Sequence, residues 1–337
     1  LEGSPGFQVT ISMPAPDPVC LNYIYMQDQK AIGGAVFYAG LYSSNISNNT
    51  GWQFTSCVQP ISNVWPGDAN YDLIADNFDI LNIGIAFGET GFVRPGATNN
   101  YVAQPCLDWP SQFQSGVNAK HADCDGNGVV NLNDTLAVSL NYGNNHPPRL
   151  MAPDSIVSIG PDLYFQIPTG PITAGSTISI PIMLGTTINP ANNFYGIAFT
   201  VNYPTAMIQA GTMSVNYNGS WLVAPGNLIH LEKNFTVAGQ LDMGFSRINH
   251  ANVSGSGTIA VLTFTFANNA AGYFTLSFSD ILAIASDETV ITTNPLAGVG
   301  FVGIDENYFI ESFSLYPNPA SGGEFTIEAK GELEIYN

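Results

Sequence analysis

The stretch Gly257-Thr258-Ile259-Ala260-Val261-Leu262-Thr263-Phe264-Thr265-Phe266 reads with period two. Ala260, Leu262, Phe264 and Phe266 fall on one side, and Thr263 and Thr265 on the other. Successive side chains of a strand point to opposite faces, so this pattern predicts a strand with one apolar face. Ser176 to Ile182, Tyr195 to Tyr203 and Tyr273 to Phe278 read alike. Pro181 brings no amide hydrogen to a ladder, so its strand is expected at a sheet edge or ending at a bulge. Gly, Asn and Pro turns separate these strands between about 150 and 304, and no helical periodicity interrupts them. Such strands bury their apolar faces against a second sheet. The expected fold is mainly β: a β-sandwich over 150–304, preceded by an N-terminal β region and a small loop–helix module.

The composition agrees. Of 337 residues 45% are hydrophobic, and 34 Gly and 22 Pro supply turns. At about 150 residues per domain the chain holds about two domains. Twenty-six acids face 7 bases, a formal charge of -19. Such a surface repels phosphate backbones, so nucleic acid is not an expected partner. No apolar run reaches the ~18 residues of a membrane helix, so no transmembrane segment is expected. The chain begins with Leu1 rather than Met, which fits a signal peptide already removed.

Asp123-Cys124-Asp125-Gly126-Asn127-Gly128-Val129-Val130-Asn131-Leu132-Asn133-Asp134 carries oxygen-bearing side chains at positions 1, 3, 5, 9 and 12 and a glycine at position 6. A hard cation takes six or more oxygens, and this spacing wraps one short loop around it. The expected calcium ligands are Asp123, Asp125, Asn127, Asn131 and Asp134, with the Val129 carbonyl. A second copy precedes it by 55 residues, with Asp68, Asn70, Asp72, Asp76, Asp79 and the Ile74 carbonyl as ligands. It has Leu73 in place of the turn glycine. Leu81 and Ile85 follow the first loop at helical spacing, and Leu136 and Leu140 follow the second; Gly88 and Gly143 offer stops. Trp65-Pro66-Gly67 leaves no room for an entering helix. Each unit is therefore a loop and one helix. The insertion from Glu89 to Ala122, with Trp109 and three prolines, is expected to form structure of its own.

Expected boundaries are 1–62 for the N-terminal β region, 63–149 for the calcium module, 150–304 for the sandwich and 305–337 for a C-terminal segment. In the first region Phe7 to Ser12 and Gly33 to Tyr42 read as strands, while Pro14, Pro16, Pro18, Pro60 and the Asn/Ser run Ser43 to Thr50 mark loops. Cys20, Cys57, Cys106 and Cys124 allow three pairings. Cys20 with Cys57 would close the N-terminal region, and Cys106 with Cys124 would tie the second loop to the segment before it. Disulfides are favoured over free buried thiols, and without a C-x-x-C pair zinc is not expected.

The paired loops resemble the dockerin family, whose modules carry a duplicated calcium loop and recognise a β-sandwich partner, cohesin. The matching positions are Asp123, Asp125, Asn127, Asn131 and Asp134, and Asp68, Asn70, Asp72, Asp76 and Asp79. Ala174-Gly175, Tyr195 to Val201 and Gly257 to Phe266 give the segment 150–304 a likeness to a cohesin sandwich. On the strands alone an immunoglobulin-like or carbohydrate-binding sandwich reads nearly as well. Leu315-Tyr316-Pro317-Asn318-Pro319, Gly322 and Phe325-Thr326-Ile327 resemble the start of the sorting domain read by the type IX secretion system of Bacteroidetes, which implies an extracellular or cell-surface location.

No catalytic constellation stands out. His121, His146, His230 and His250 have no motif around them, His121 is expected at the surface, and no enzyme is expected. The function expected is a secreted, calcium-stabilised structural subunit assembling head to tail into a filament or surface polymer, with itself or another secreted protein as partner. The alternative is a surface scaffold or adhesin that binds a protein or a glycan, with Trp52, Trp109 and Trp221 as a sugar platform.

Overall fold

Residues 9–53 wind into stacked coils in the computed structural model, which describes residues 6–14, 18–57, 61–146, 160–222 and 228–303 and the strands Phe313–Tyr316 and Thr326–Ala329. The strands are β1 (Val9–Ser12), β2 (Val19–Cys20), β3 (Tyr25–Gln27), β4 (Gln29–Ile32), β5 (Phe37–Tyr38), β6 (Ser44–Ser47) and β7 (Trp52–Gln53). All pair in parallel with the next coil: Val9 with Gln29, Val19 with Phe37, Phe37 with Trp52, Tyr25 with Ser44. Phe37, Met26 and Ala39 fill the inside. Asp28 (φ 55°) and Asn48 (φ 50°) turn equivalent corners in the left-handed conformation that these residue types tolerate.

Three expectations are corrected here. The run Ser43 to Thr50 contains the strand β6 rather than a loop. Between coils its amides are satisfied, because Asn49 accepts from Gln29 N and donates to the Met26 carbonyl, and Asn48 donates to Asp28. Of Gly33 to Tyr42 only Phe37–Tyr38 is a strand, since Gly33, Gly34 and Gly40 turn left-handed. A Cys20–Cys57 disulfide closes the region. Cys106 and Cys124 stay free and buried, which corrects the second pairing. Cys124 lies in the module's own apolar core, where burial raises its thiol pKa.

Next come β8 (Ile61–Val64), α1 (Asp79–Ile85), β9 (Gln104–Leu107) and α2 (Asp134–Asn141). β9 lies in the insertion and pairs antiparallel with β8; Trp109 and Phe113 from the same insertion enter the module core. Both helices sit where the leucine spacing places them, and Gly88 and Gly143 follow them with positive φ.

The sandwich is built from β10 (Asp162–Phe165), β11 (Ile172–Thr173), β12 (Thr177–Leu184), β13 (Ala191–Phe194), β14 (Gly196–Asn202), β15 (Ser214–Asn216), β16 (Leu228–Phe235), β17 (Gln240–Arg247), β18 (Val253–Gly255), β19 (Gly257–Thr265), β20 (Gly272–Ile284), β21 (Val290–Ile291), β22 (Asn294–Leu296) and β23 (Gly298–Gly303). One sheet runs β15-β19-β12-β10-β22 and the other β11-β23-β20-β14-β17-β16. Leu262, Phe264, Ile180 and Ile182 from the first meet Phe199, Val201, Met243 and Phe245 from the second. Pro181 lies in β12, a central strand, and the register shifts just after it between Ile182 and Met183. The bulge alternative holds and the edge alternative does not. β24 (Phe313–Tyr316) and β25 (Thr326–Ala329) pair antiparallel. The rest of the sorting-like motif, including Pro317 to Phe325, lies outside the described residues.

Candidate functional site: two loop–helix units on one sheet

In the second loop each acidic or amide side chain folds the backbone around itself. Asp123 accepts from Gly126 N (3.1 Å) and Gly128 N (3.0 Å), Asp125 from Asn127 N (3.0 Å), and Asn127 from Val129 N (2.8 Å). Asn131 accepts from Asn133 N (2.8 Å), while its own amide donates to the Val129 carbonyl. Asp134, one helical step later, reaches back to Asp125 N (3.0 Å) and Asn131 N (2.7 Å). Carboxylate oxygens of Asp123, Asp125 and Asp134 converge within 4.8 Å of one another.

The first loop repeats the pattern. Asp68 accepts from Leu73 N, Asn70 from Asp72 N, Asp72 from Ile74 N and Asp76 from Phe78 N. Asp79 accepts from Ala69 N, Asn70 N and Asp76 N. Tyr71 (φ 57°) and Leu73 (φ 85°) adopt the left-handed conformation that Gly126 (φ 78°) and Gly128 (φ 86°) adopt in the second loop. The backbone path is thus kept without the glycines. A pseudo-two-fold relates the units: Ile74 bridges to Asn145 and Val129 to Thr90, two contacts that the 55-residue offset exchanges.

Charge in these loops is poorly compensated by protein. Burial raises the pKa of Asp68, Asp76 and Asp134 to about 7 and of Asp123 to about 6, and pushes Asp79 well above the carboxylate range. Asp68 Oδ1 is buried with no hydrogen-bond partner. An all-oxygen donor set, uncompensated carboxylates and an orphaned buried oxygen fit a hard divalent cation.

Spatial neighbours absent from the motif complete the loops. Arg94, fully buried, donates to Gln104 and to the Asp123 and Cys124 carbonyls (3.0 and 2.8 Å). Lys120, also buried, binds Asp108, Ser62 and the Cys106 carbonyl, fastening β8–β9 to the module. His146 Nε2 lies 2.9 Å from Asp68 Oδ2, with its ring stacked on Trp65. His121 is buried against Tyr71 rather than at the surface, and burial lowers its pKa to about 3. The scarcity of bases in the chain was the one sequence signal for Arg94 and Lys120.

Helix α1 lies across β14, β17 and β16 of the sandwich. Asn77 donates to the Phe199 and Met243 carbonyls (3.3 and 3.0 Å). Tyr142 OH donates to Asp242 (2.8 Å) and lies 3.2 Å from Asn77 Oδ1. Tyr195 OH donates to the Gly84 carbonyl, and His250 meets the Phe87 carbonyl. Leu81 packs with Ala198 and Ile284, and the sandwich residue Ile229 joins the module's core. A Cβ at Gly84 would lie 2.3 Å from Ser246 Oγ, so glycine sets how near the helix comes. Trp109 is buried in the module, and the half-buried Trp52 and Trp221 pack on Phe37 and Phe194 with their indole nitrogens enclosed; none forms a platform.

Residues 165–299 match the family model of the cohesin domain. Similar solved structures include a type II cohesin domain from the cellulosome of Acetivibrio cellulolyticus, 15% identical over 44% of this chain and 97% of that one (TM-score 0.36). A type I cohesin–dockerin complex from Clostridium thermocellum is 13% identical over 45% and 99% (TM-score 0.37), and a non-cellulosomal cohesin from Archaeoglobus fulgidus 14% identical over 44% and 95% (TM-score 0.33). No curated protein matches the chain. The cohesin match leaves the loop–helix module and the C-terminal segment uncovered. Cohesin is a non-enzymatic, protein-binding domain. No helix among the described residues is long and apolar enough to cross a membrane.

Proposed function

We propose that the chain is a secreted, calcium-stabilised structural subunit of an extracellular or cell-surface assembly, in which the cohesin-like sheet and the dockerin-like module form the assembly contact. The observation that carries this reading is helix α1 seated on β14 and β17 through Asn77, Leu81 and Gly84. Here the contact closes within one chain. The same contact made between chains is heterologous and propagates head to tail unless rotation closes a ring. Calcium would be held by Asp123, Asp125, Asn127, Asn131, Asp134 and the Val129 carbonyl in the second loop. Asp68, Asn70, Asp72, Asp76, Asp79 and the Ile74 carbonyl would hold it in the first. The ion supplies charge compensation for the carboxylates and rigidity to the helices that the sheet reads. Light scattering of the full chain over a concentration series, in calcium and in excess chelator, tests the proposal. Growth in calcium that chelator reverses is expected; assemblies indifferent to chelator, or a monomer under every condition, would overturn it.

The glycan-binding alternative keeps one observation in its favour. Tyr23 and Tyr42, on successive coils, stack at 5.0 Å and 7° with both rings exposed. Glycan-array binding that Tyr23→Ala and Tyr42→Ala abolish would support it.

A further inference from the structure

The two units are copies, yet only one has its helix face covered. The repeat offset carries Asn77, Leu81 and Ile85 onto Leu132, Leu136 and Leu140. Asn77 and Leu81 are 3% and 1% exposed, whereas Leu132, Leu136 and Leu140 are 58%, 52% and 62% exposed. Leu136 and Leu140 lie on α2 and Leu132 in the loop two residues before it, and all three, spaced by four, face water. The helix carries no ionisable side chain except the buried Asp134, in a chain of formal charge -19. Apolar residues at this spacing that face water mark an interaction surface.

The sheet that receives α1 is a poor fit to this stripe. Asn77 satisfies two sheet carbonyls, and Gly84 permits close approach to Ser246. The corresponding residues of the second unit are Leu132, whose side chain donates nothing, and Ser139, whose Cβ would collide. Each chain, moreover, has one such sheet, and an α1, its own or a neighbour's, fills it. The stripe needs a surface that is apolar, uncharged and free of hydrogen-bonding demands.

We propose that α2 pairs with α2 of a second copy about a two-fold axis, with Leu136 and Leu140 of the two helices, and Leu132 just before each, interleaved. Each helix then offers the other the kind of surface it requires, and the contact closes at two chains. Two strongly acidic chains repel elsewhere, but α2 itself presents no exposed ionisable side chain to its partner. Three leucines make a short stripe, whereas standard interfaces bury ~1,200 Å² or more, so the pairing is weak and depends on concentration. It is independent of the head-to-tail contact.

Sedimentation of the full chain in calcium over a concentration series tests the pairing. A pairing step is expected in addition to any head-to-tail growth, and it is lost in the double variant Leu136→Asp, Leu140→Asp with no fall in melting temperature. Oxidised Leu136→Cys is expected to give a covalent dimer, which reads the pairing even where the double variant folds poorly. A wild-type chain that stays monomeric overturns the inference. So does association that the double variant leaves wholly unchanged and Leu81→Asp abolishes, which would make the sheet the occupant. Growth beyond two chains that the double variant leaves intact keeps the head-to-tail reading and removes this one.

Discussion

At positions 4 and 6 of the first loop, Tyr71 and Leu73 hold a backbone conformation costing L-residues about 1–2 kcal/mol each. They hold it because Asp68, Asp72 and Asp79 bind the loop's amides whatever side chain stands there. Leu73→Gly should therefore raise stability by about 1 kcal/mol, read as a higher melting temperature in calcium; a lower one would mean that the packing of Leu73 outweighs its strain. The carboxylates themselves predict a pH dependence. Asp68, Asp76 and Asp134 titrate near 7 and Asp123 near 6 when folded, against an ordinary 3.8. Between about pH 4 and 7 the folded, metal-free chain binds protons that the unfolded chain releases, so its stability falls as pH rises. Calcium takes the place of those protons. Calorimetry should show the melting temperature in chelator dropping from pH 4.5 to 7.5 and the gain from calcium widening over the same range. A gain that is constant with pH would count against these aspartates as ligands.

Among the elements, α1 and α2 differ in what they touch rather than in how they form. Gly84 lies against Ser246, whereas its counterpart in the repeat, Ser139, carries a side chain and is half-buried. Gly84→Val should cost about 1–3 kcal/mol by overpacking the seat on the sheet. Ser139→Val, the matched change in α2, should stay within ~0.5 kcal/mol. Equal costs in chemical denaturation would show that helix propensity, not the seat, is being measured. Both helices were legible from leucine spacing and glycine stops, and the sandwich strands from period two. Pro181 and the run Ser43 to Thr50 were not. A proline survives in a central strand because a bulge follows it, and Asn-rich segments become strands when a neighbouring coil binds their amides. Both facts depend on partners distant in sequence.

For the whole molecule, the Cys20–Cys57 bond closes a 37-residue separation around the coils. Loop-closure entropy puts its worth at about 4 kcal/mol. Cys20→Ser with Cys57→Ser should unfold the N-terminal coils first, detected by hydrogen exchange in residues 9–53; unchanged protection there would refute it. Local chemistry in the sequence by itself determined the two oxygen-rich loops, the helices after them and the alternating sandwich strands, because neighbours a few residues apart specify each. Tertiary structure alone decided that the first helix lies on its own chain's sheet while the second shows its leucines to water. It also decided that His146 and Arg94 join the loops, and that Cys106 and Cys124 stay apart from any disulfide. Those outcomes depend on which surfaces meet across 29 to 166 residues of chain, where shape and hydrogen bonding between faces, not sequence spacing, select the partner.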